Sequence, residues 1–334
     1  MSSSAEPSYQ KDGQFHRVAS SFRNFVVKDP SSQFPAEKGR YAVYASPGCP
    51  WAHRVLIVRA LKGLEDVIDL YLLLNLGREG WYFDGSHGTL ERDPLYGFTH
   101  LRQLYQKADP DFDGRVTVPV LWDKKTQTIV NNESSEIIRM LYAEFDDFIP
   151  EPLREVSRPG GGFYPADRQA EIDELNEWVY DKVNNGVYKS GFASTQAAYE
   201  ENVVVLFDAL DRLEGILAGH GRPFLLGDHL TEADIRLYTT LARFDVAYHS
   251  VFMCNLKSIR HDYPRLHLWL RRLYWDESPI TNGGAFGKTT KPWIGLYASG
   301  YTQGRAKVLA GQASLIAPKG PAVLMEPLKE GEGL

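Results

Sequence analysis

The sequence predicts an α/β domain followed by an all-helical domain. Three observations carry that reading. A strand–turn–helix–strand pattern fills residues 41–74, two further strands with a short connection fill residues 115–130, and the periodic stretches from about 166 to 275 are all helical. Between the domains, Asp146 to Gly162 is rich in Pro, Gly and charge, the composition of a linker. The expected organisation is an arm (1–40), an α/β domain (41–145) with an aromatic insertion (77–113), a linker (146–165), a helical domain (166–275) and a tail (276–334).

The first strand, Tyr41 to Ala45, alternates and is rich in strand formers. Ser46-Pro47-Gly48 breaks it, and Pro50 suits a first helical position, where a missing amide costs nothing. Ala52, Val55, Leu56, Ile57, Ala60 and Leu61 form one helical face, which Gly63 closes. Cys49 therefore falls at or beside the N-cap, where free N–H groups and the helix dipole favour a thiolate. It reads as a reactive thiol.

Val67 to Leu74 is nearly all apolar and predicts a strand buried on both faces, completing a βαβ unit. The following stretch to Asp113 is long for a connection and carries Trp81, Tyr82, Phe83, Tyr96, Phe98 and Tyr105, which points to a functional loop. Arg115 to Trp122 and Thr126 to Val130 predict an antiparallel hairpin. Pro119 is abnormal inside a central strand; a cis peptide at the strand's start or an edge strand with a trans proline would each accommodate it. Asn131 to Glu136 then opens a helix with Ile137, Ile138, Leu141 and Tyr142 as its apolar stripe, and its N-terminus is either an anion site or a plain cap.

In the second domain, helices are expected from Ala166 past Trp178, from Ser194 to Leu217, after the capping box Thr231-Glu232-Ala233-Asp234, and from Ser258 to Tyr274 with a break at Pro264. Asn184 to Phe192 reads as a loop with an exposed Tyr188. The arm's Phe15, Phe22, Phe25 and Phe34 argue that it packs on something.

Bulk properties exclude several classes. The 334 residues carry a net charge of −6 with 43% apolar residues, so nucleic acid and anionic membrane are not expected partners. No apolar run approaches the roughly 20 residues of a bilayer span. Two cysteines, Cys49 and Cys254, give neither a disulfide framework nor zinc-ligand spacing, and a cytoplasmic setting is expected. Cys254 reads as a packed core residue.

Four blocks make the reading narrower: Cys49-Pro50-Trp51-Ala52-His53-Arg54, Val118-Pro119-Val120-Leu121-Trp122-Asp123, Asn132-Glu133-Ser134-Ser135-Glu136-Ile137-Ile138 and Asn185-Gly186-Val187-Tyr188-Lys189-Ser190-Gly191-Phe192-Ala193. Together they resemble the glutathionyl-hydroquinone reductases, or Xi-class glutathione transferases, from about Phe22 to Leu270. The resemblance implies a thioredoxin-like N-terminal domain with an all-helical glutathione-transferase C-terminal domain. It implies Cys49 as the nucleophile and glutathione as co-substrate, with no metal. Trp81, Val118 (before a cis Pro119), Glu133 and Ser134 would hold glutathione. Tyr188 and a tail tyrosine would meet the phenol oxygen of a quinone or hydroquinone conjugate. Tyr297 is the best match for the tail position and Tyr301 the second, because the stretch Trp293 to Tyr301 departs from the His-Tyr pattern of many relatives. A homodimer is implied as well.

The implied chemistry is attack by Cys49 on the conjugate's sulfur, release of hydroquinone, and resolution of the mixed disulfide by a second glutathione. Two alternatives share the fold: an omega-like thiol transferase or dehydroascorbate reductase, which has no need of Tyr188, and a non-catalytic protein that binds aromatic ligands.

Overall fold

The computed structural model describes residues 13–308 except Val18 and Arg78, together with residues 321 and 323–334. The Ser-rich start of the arm and tail residues 309–320 lie outside the described residues. The chain divides into an α/β unit, Ser20–Pro165 with Glu277–Thr289, and a helical unit, Ala166–Asp276 with Thr290–Leu334 and the described residues up to Ala19.

In the α/β unit, β1 (Tyr41–Ala45) leads into α1 (Pro50–Leu61) and β2 (Asp69–Leu72). A hairpin of β3 (Asn75–Gly77) and β4 (Gly80–Tyr82) and the helix α2 (Leu101–Ala108) follow, then β5 (Val120–Asp123), β6 (Thr128–Asn131) and α3 (Ser134–Ala143). The main sheet has the order β2-β1-β5-β6. β1 runs parallel to β2, with Val43 opposite Leu70, and antiparallel to β5, with Val43 opposite Leu121.

Several expectations need correction. The second strand is confined to residues 69–72 and is only half-buried, because β2 is an edge of the sheet. The third strand starts at Val120 rather than Arg115. Val118–Pro119 is cis, and a proline has no N–H for the ladder, so residues 115–119 run outside it. The aromatic insertion is structured, with β4 and α2 in it: Tyr105 of α2 is fully buried, donates to the Thr117 carbonyl at 2.9 Å and accepts from the Thr117 amide. α1 is buried nearly all round, including His53 and Arg54, so it is a core helix rather than a one-faced one.

Residues 146–165 also pack on this unit. Lys62, fully buried after α1, places its ammonium 2.9 Å from Asp146 and 3.4 Å from Glu155. Glu155 in turn accepts the amides of Phe163 and Tyr164.

The arm runs along the sheet edge and α3. Arg23 bridges antiparallel to Asn131, Asn24 donates to the Val130 carbonyl, and Arg23 pairs with Glu136.

The helical unit contains α4 (Gln169–Val179), α5 (Gly186–Gly191), α6 (Gln196–His220), α7 (Glu232–Arg243), the short α8 (His249–Val251) and α9 (Ile259–Asp262), α10 (Pro264–Trp275), α11 (Ala285–Thr290) and α12 (Tyr297–Val308). α11 spans the division, its last residue alone lying in this unit. Wide π turns at Tyr180–Asn184 and Phe244–Tyr248 follow α4 and α7. The capping box at α7 forms: Asp234 accepts from the Thr231 amide at 3.0 Å, and also from the Leu225 amide and the Trp269 indole. Asn184 to Phe192 is not an exposed loop. It folds into α5, and Gly191 is needed there because a Cβ would lie 2.2 Å from the Phe252 ring.

Candidate functional site

The first part of the site grows from the β1–α1 turn. Cys49 is the N-cap of α1, with extended backbone at φ −83° and ψ 123°, and Pro50 takes the first helical position. The turn is closed by the Cys49 amide on the Ser46 carbonyl at 3.0 Å. The thiol is half-buried and donates to the Val118 carbonyl at 3.6 Å. A thiol at a helix N-terminus gains as a thiolate from the converging amides and the dipole, and a backbone carbonyl beside it belongs to the strand-entry residue preceding the cis proline. His53, one turn on, is buried and directed to the Thr289 hydroxyl at 3.1 Å.

The second part is the N-terminus of α3. Glu133 is its N-cap; one carboxylate oxygen accepts from the Ser135 amide at 3.1 Å and hydroxyl at 2.9 Å, the other from the Ser20 hydroxyl at 3.0 Å. Burial alone would raise this carboxyl, but those hydrogen bonds and the Arg54 charge outweigh it and hold it below its ordinary value. Ser134 is buried, with its hydroxyl 3.5 Å from an Arg54 amino group. Arg54 reaches it from α1 while its guanidinium lies 4.6 Å from the Trp51 ring centroid. Asn132 exchanges hydrogen bonds with Phe22 of the arm: its amide donates to the Phe22 carbonyl, and its side chain accepts from the Phe22 amide.

Trp81 stands on β4, opposite Leu76, and is half-buried. Gly80 beside it has φ +100°, and a Cβ there would meet Val116 at 3.1 Å, so the hairpin closes against the segment that leads to Val118. Cys49 and Val118 are thus in direct contact, Glu133 and Ser134 are neighbours tied to α1 through Arg54, and Trp81 sits on the adjoining hairpin.

The remaining two predicted residues belong to the helical unit. Tyr188, on α5, is half-buried among aromatic rings, with Phe192 at 5.8 Å and Phe252 at 5.5 Å between centroids. Phe15 stacks at 6.2 Å, and the Arg17 guanidinium lies 5.4 Å over the ring. Its hydroxyl is 3.2 Å from that of Tyr301, which is 2.8 Å from that of Tyr248. Tyr301, the second choice from the sequence, therefore shares a hydroxyl chain with Tyr188. Tyr297 is buried, lies under the Arg243 guanidinium at 4.1 Å, and its hydroxyl makes no hydrogen bond among the described residues. Burial pushes the Tyr297 phenol up, against the pull of Arg243. Sequence reasoning missed Tyr248, Arg243, Ser20 and Arg17. The first two carried a faint signal in the polar and aromatic run Arg243-Phe244-Asp245-Val246-Ala247-Tyr248.

Among the described residues no helix is long and apolar enough to cross a membrane, and no cluster of His, Cys, Asp and Glu is arranged to hold a metal ion.

Two family models match the chain: the glutathione S-transferase N-terminal domain over residues 48–144 and the glutathione S-transferase C-terminal domain over residues 196–272. The chain is 53% identical over 266 residues to glutathione S-transferase omega-like 2 of Schizosaccharomyces pombe, covering 79% of this chain and 83% of that one. It is 50% identical over 269 residues to the glutathionyl-hydroquinone reductase YqjG of Escherichia coli, covering 78% and 79%. The Xi glutathione transferase ECM4 of Saccharomyces cerevisiae, solved in complex with glutathione, superposes with a TM-score of 0.83 at 39% identity, covering 93% of this chain and 100% of that one.

The chain belongs to the Xi-class glutathione transferases, the glutathionyl-hydroquinone reductase family.

Within this Xi-class chain the matched N-terminal range contains Cys49, Trp81, Val118, Glu133 and Ser134, and the matched C-terminal range contains Arg243 and Tyr248. Tyr188, Tyr297 and Tyr301 lie outside both ranges. Membership in an enzyme family, with a cysteine at the helix N-cap, displaces the non-catalytic alternative.

Proposed function

We propose that this Xi-class transferase removes glutathione from glutathionyl-hydroquinones through a Cys49–glutathione mixed disulfide. The observation that carries the reading is the half-buried Cys49 thiol at the N-cap of α1, 3.6 Å from the Val118 carbonyl. A thiolate there attacks the conjugate's sulfur. An S–S bond forms, the S–C bond breaks, and the electron pair passes to the aromatic ring, which takes up a proton. A second glutathione then resolves the mixed disulfide. In sum, one conjugate and one glutathione give hydroquinone and oxidised glutathione.

In this reading Val118 offers its main chain to the cysteinyl part of glutathione, in the manner of an added strand. Glu133 takes the γ-glutamyl ammonium, Ser134 and the N-terminus of α3 take its carboxylate, and Trp81 lines the pocket. Tyr188 and Tyr301 meet the phenolic oxygen of the substrate, with Tyr248 and the buried Tyr297 behind them. The enzyme acts in the cytoplasm as a homodimer. The glutathione-bound relative and the hydroquinone reductase at 50% identity support the reaction class and the co-substrate.

A second reading, an omega-like thiol transferase, is favoured by the omega-like relative at 53% identity, and it uses the same cysteine. Steady-state turnover of a glutathionyl-hydroquinone with excess glutathione, compared between wild type and Cys49→Ser, separates the two. Conjugate turnover that disappears in the variant, with a glutathione adduct on wild-type Cys49 by mass spectrometry, supports the reductase. Turnover of small mixed disulfides without turnover of the conjugate supports the omega-like reading.

A further inference from the structure

Two guanidinium groups flank the tyrosine cluster of the helical unit, one at each end of α5. At the start of the helix Arg17, an exposed residue of the arm, donates through Nε to the Asn185 Oδ1 at 2.8 Å. Its guanidinium lies 5.4 Å from the Tyr188 ring centroid and 5.7 Å from that of Phe15. At the end of the helix Arg305, half-buried, donates through Nε to the Gly191 carbonyl at 3.4 Å. Arg305 and Tyr301 stand four residues apart on α12 and so share one face of it. The Tyr301 hydroxyl in turn lies 3.2 Å from that of Tyr188.

Other charges close by leave the balance positive. Lys189 is paired with Asp181, and Glu201 accepts from the Gln14 side chain. Arg243 adds a buried cation beside Tyr297. An arginine fork takes a carboxylate through two parallel hydrogen bonds and gives up its hydration more readily than an ammonium does. The attraction of a part-exposed guanidinium is screened over about 8 Å at physiological ionic strength, so it favours anions held in the cluster itself.

We propose that Arg17, seconded by Arg305, determines specificity: the cluster selects glutathionyl-hydroquinones whose ring carries an anionic substituent, a carboxylate above all, over neutral ones. The inference rests on the reading above that Tyr188 and Tyr301 receive the phenolic oxygen. With that oxygen on the two hydroxyls, any substituent of the same ring lies within one benzene ring's width of them, inside the reach of both arginines.

Both arginines also have structural roles. Arg17 ties the arm to Asn185, and Arg305 sits on a carbonyl at the C-terminal end of α5, where a cation is favourable. Loss of such a contact would slow every conjugate alike, whereas loss of the charge separates anionic conjugates from neutral ones.

The test uses the glutathione conjugate of a carboxylated hydroquinone and the conjugate of its methyl ester, so that the charge of glutathione is common to both. The acid-to-ester ratio of kcat/KM is measured for wild type, Arg17→Gln, Arg17→Lys and the double variant Arg17→Gln/Arg305→Gln, at low and at high salt. Arg17→Gln is expected to lower the ratio about three- to tenfold, mainly through a higher KM for the acid. The double variant lowers it further, Arg17→Lys keeps most of it, and salt shrinks it in wild type more than in the double variant.

Equal losses on acid and ester, an unchanged ratio in the double variant, or an Arg17→Lys ratio as low as that of Arg17→Gln overturns the proposal. Should the double variant fail to fold, the ratio in Arg17→Gln decides. A wild type that turns over neither conjugate sinks the functional reading itself, whereas an active wild type whose ratio survives the loss of both charges removes only this selectivity.

Discussion

At Glu133 electrostatics and the proposed binding of glutathione meet in one side chain. Both of its oxygens accept hydrogen bonds, from Ser135 and from Ser20, and its carboxyl is held below the ordinary value of 4.5. A carboxyl lowered in the folded state contributes stability that is complete above about 4.5 and is lost as pH falls through the lowered folded value. Thermal melts of wild type and Glu133→Gln are therefore expected to differ most near neutrality and to converge only once the pH has fallen below the lowered folded value. Ser20→Ala should raise the KM for glutathione several-fold with kcat nearly preserved, because it frees the Glu133 carboxylate without touching Cys49; initial rates over a glutathione titration check this. The N-cap position of Cys49 was legible because its neighbours Pro47, Gly48 and Pro50 write a turn and a helix start around it. Ser20 was not legible: its partner lies 113 residues away, and no local pattern encodes such a contact.

Packing decides which elements form. α5 is short and opens at Asn185-Gly186, so propensity argues for a loop; burial of Val187 and the aromatic packing of Tyr188 make it a helix. Gly191→Ala is expected to destabilise the helical unit by about 1–3 kcal/mol through the clash with Phe252, seen as a lower denaturation midpoint with an unchanged slope. In the α/β unit, Lys62 holds residues 146–155 by ion pairs with Asp146 and Glu155 inside the protein. Lys62→Ala leaves those carboxylates buried without their cation and should cost about 3–5 kcal/mol, measurable by denaturant unfolding. The hairpin β5–β6 was legible from its apolar runs. The true start of β5 was not, because the anomaly at Pro119 marks an irregularity without saying which side of it joins the ladder.

For the molecule as a whole, the proposed chemistry divides between two units that each have their own core. The thiol and the glutathione residues belong to one, the phenols to the other. Cys49→Ser is accordingly expected to abolish turnover of both hydroquinone conjugates and mixed disulfides. Tyr188→Phe should lower conjugate turnover by about 10²-fold and so cut the ratio of conjugate to disulfide turnover at least tenfold, in parallel assays on one preparation. The two-domain plan was readable from the switch of hydrophobic period near residue 166. The hydroxyl chain was only half readable: Tyr188 lay in a recognisable block, but Tyr248 and Tyr301 are 53 residues apart and meet only after folding.

The division between the units also falls within the arm, between Ala19 and Ser20. Phe15 and Arg17 cover Tyr188 in the helical unit, while Ser20 and Phe22 hold Glu133 and Asn132 in the α/β unit. A protease cut after Phe22 would therefore not be a harmless trimming. One cleavage would strip the arm's contacts from Glu133 and from Tyr188 together, the two clusters proposed to meet substrate, so the state of the amino terminus becomes a variable to fix before any two preparations of this enzyme are compared.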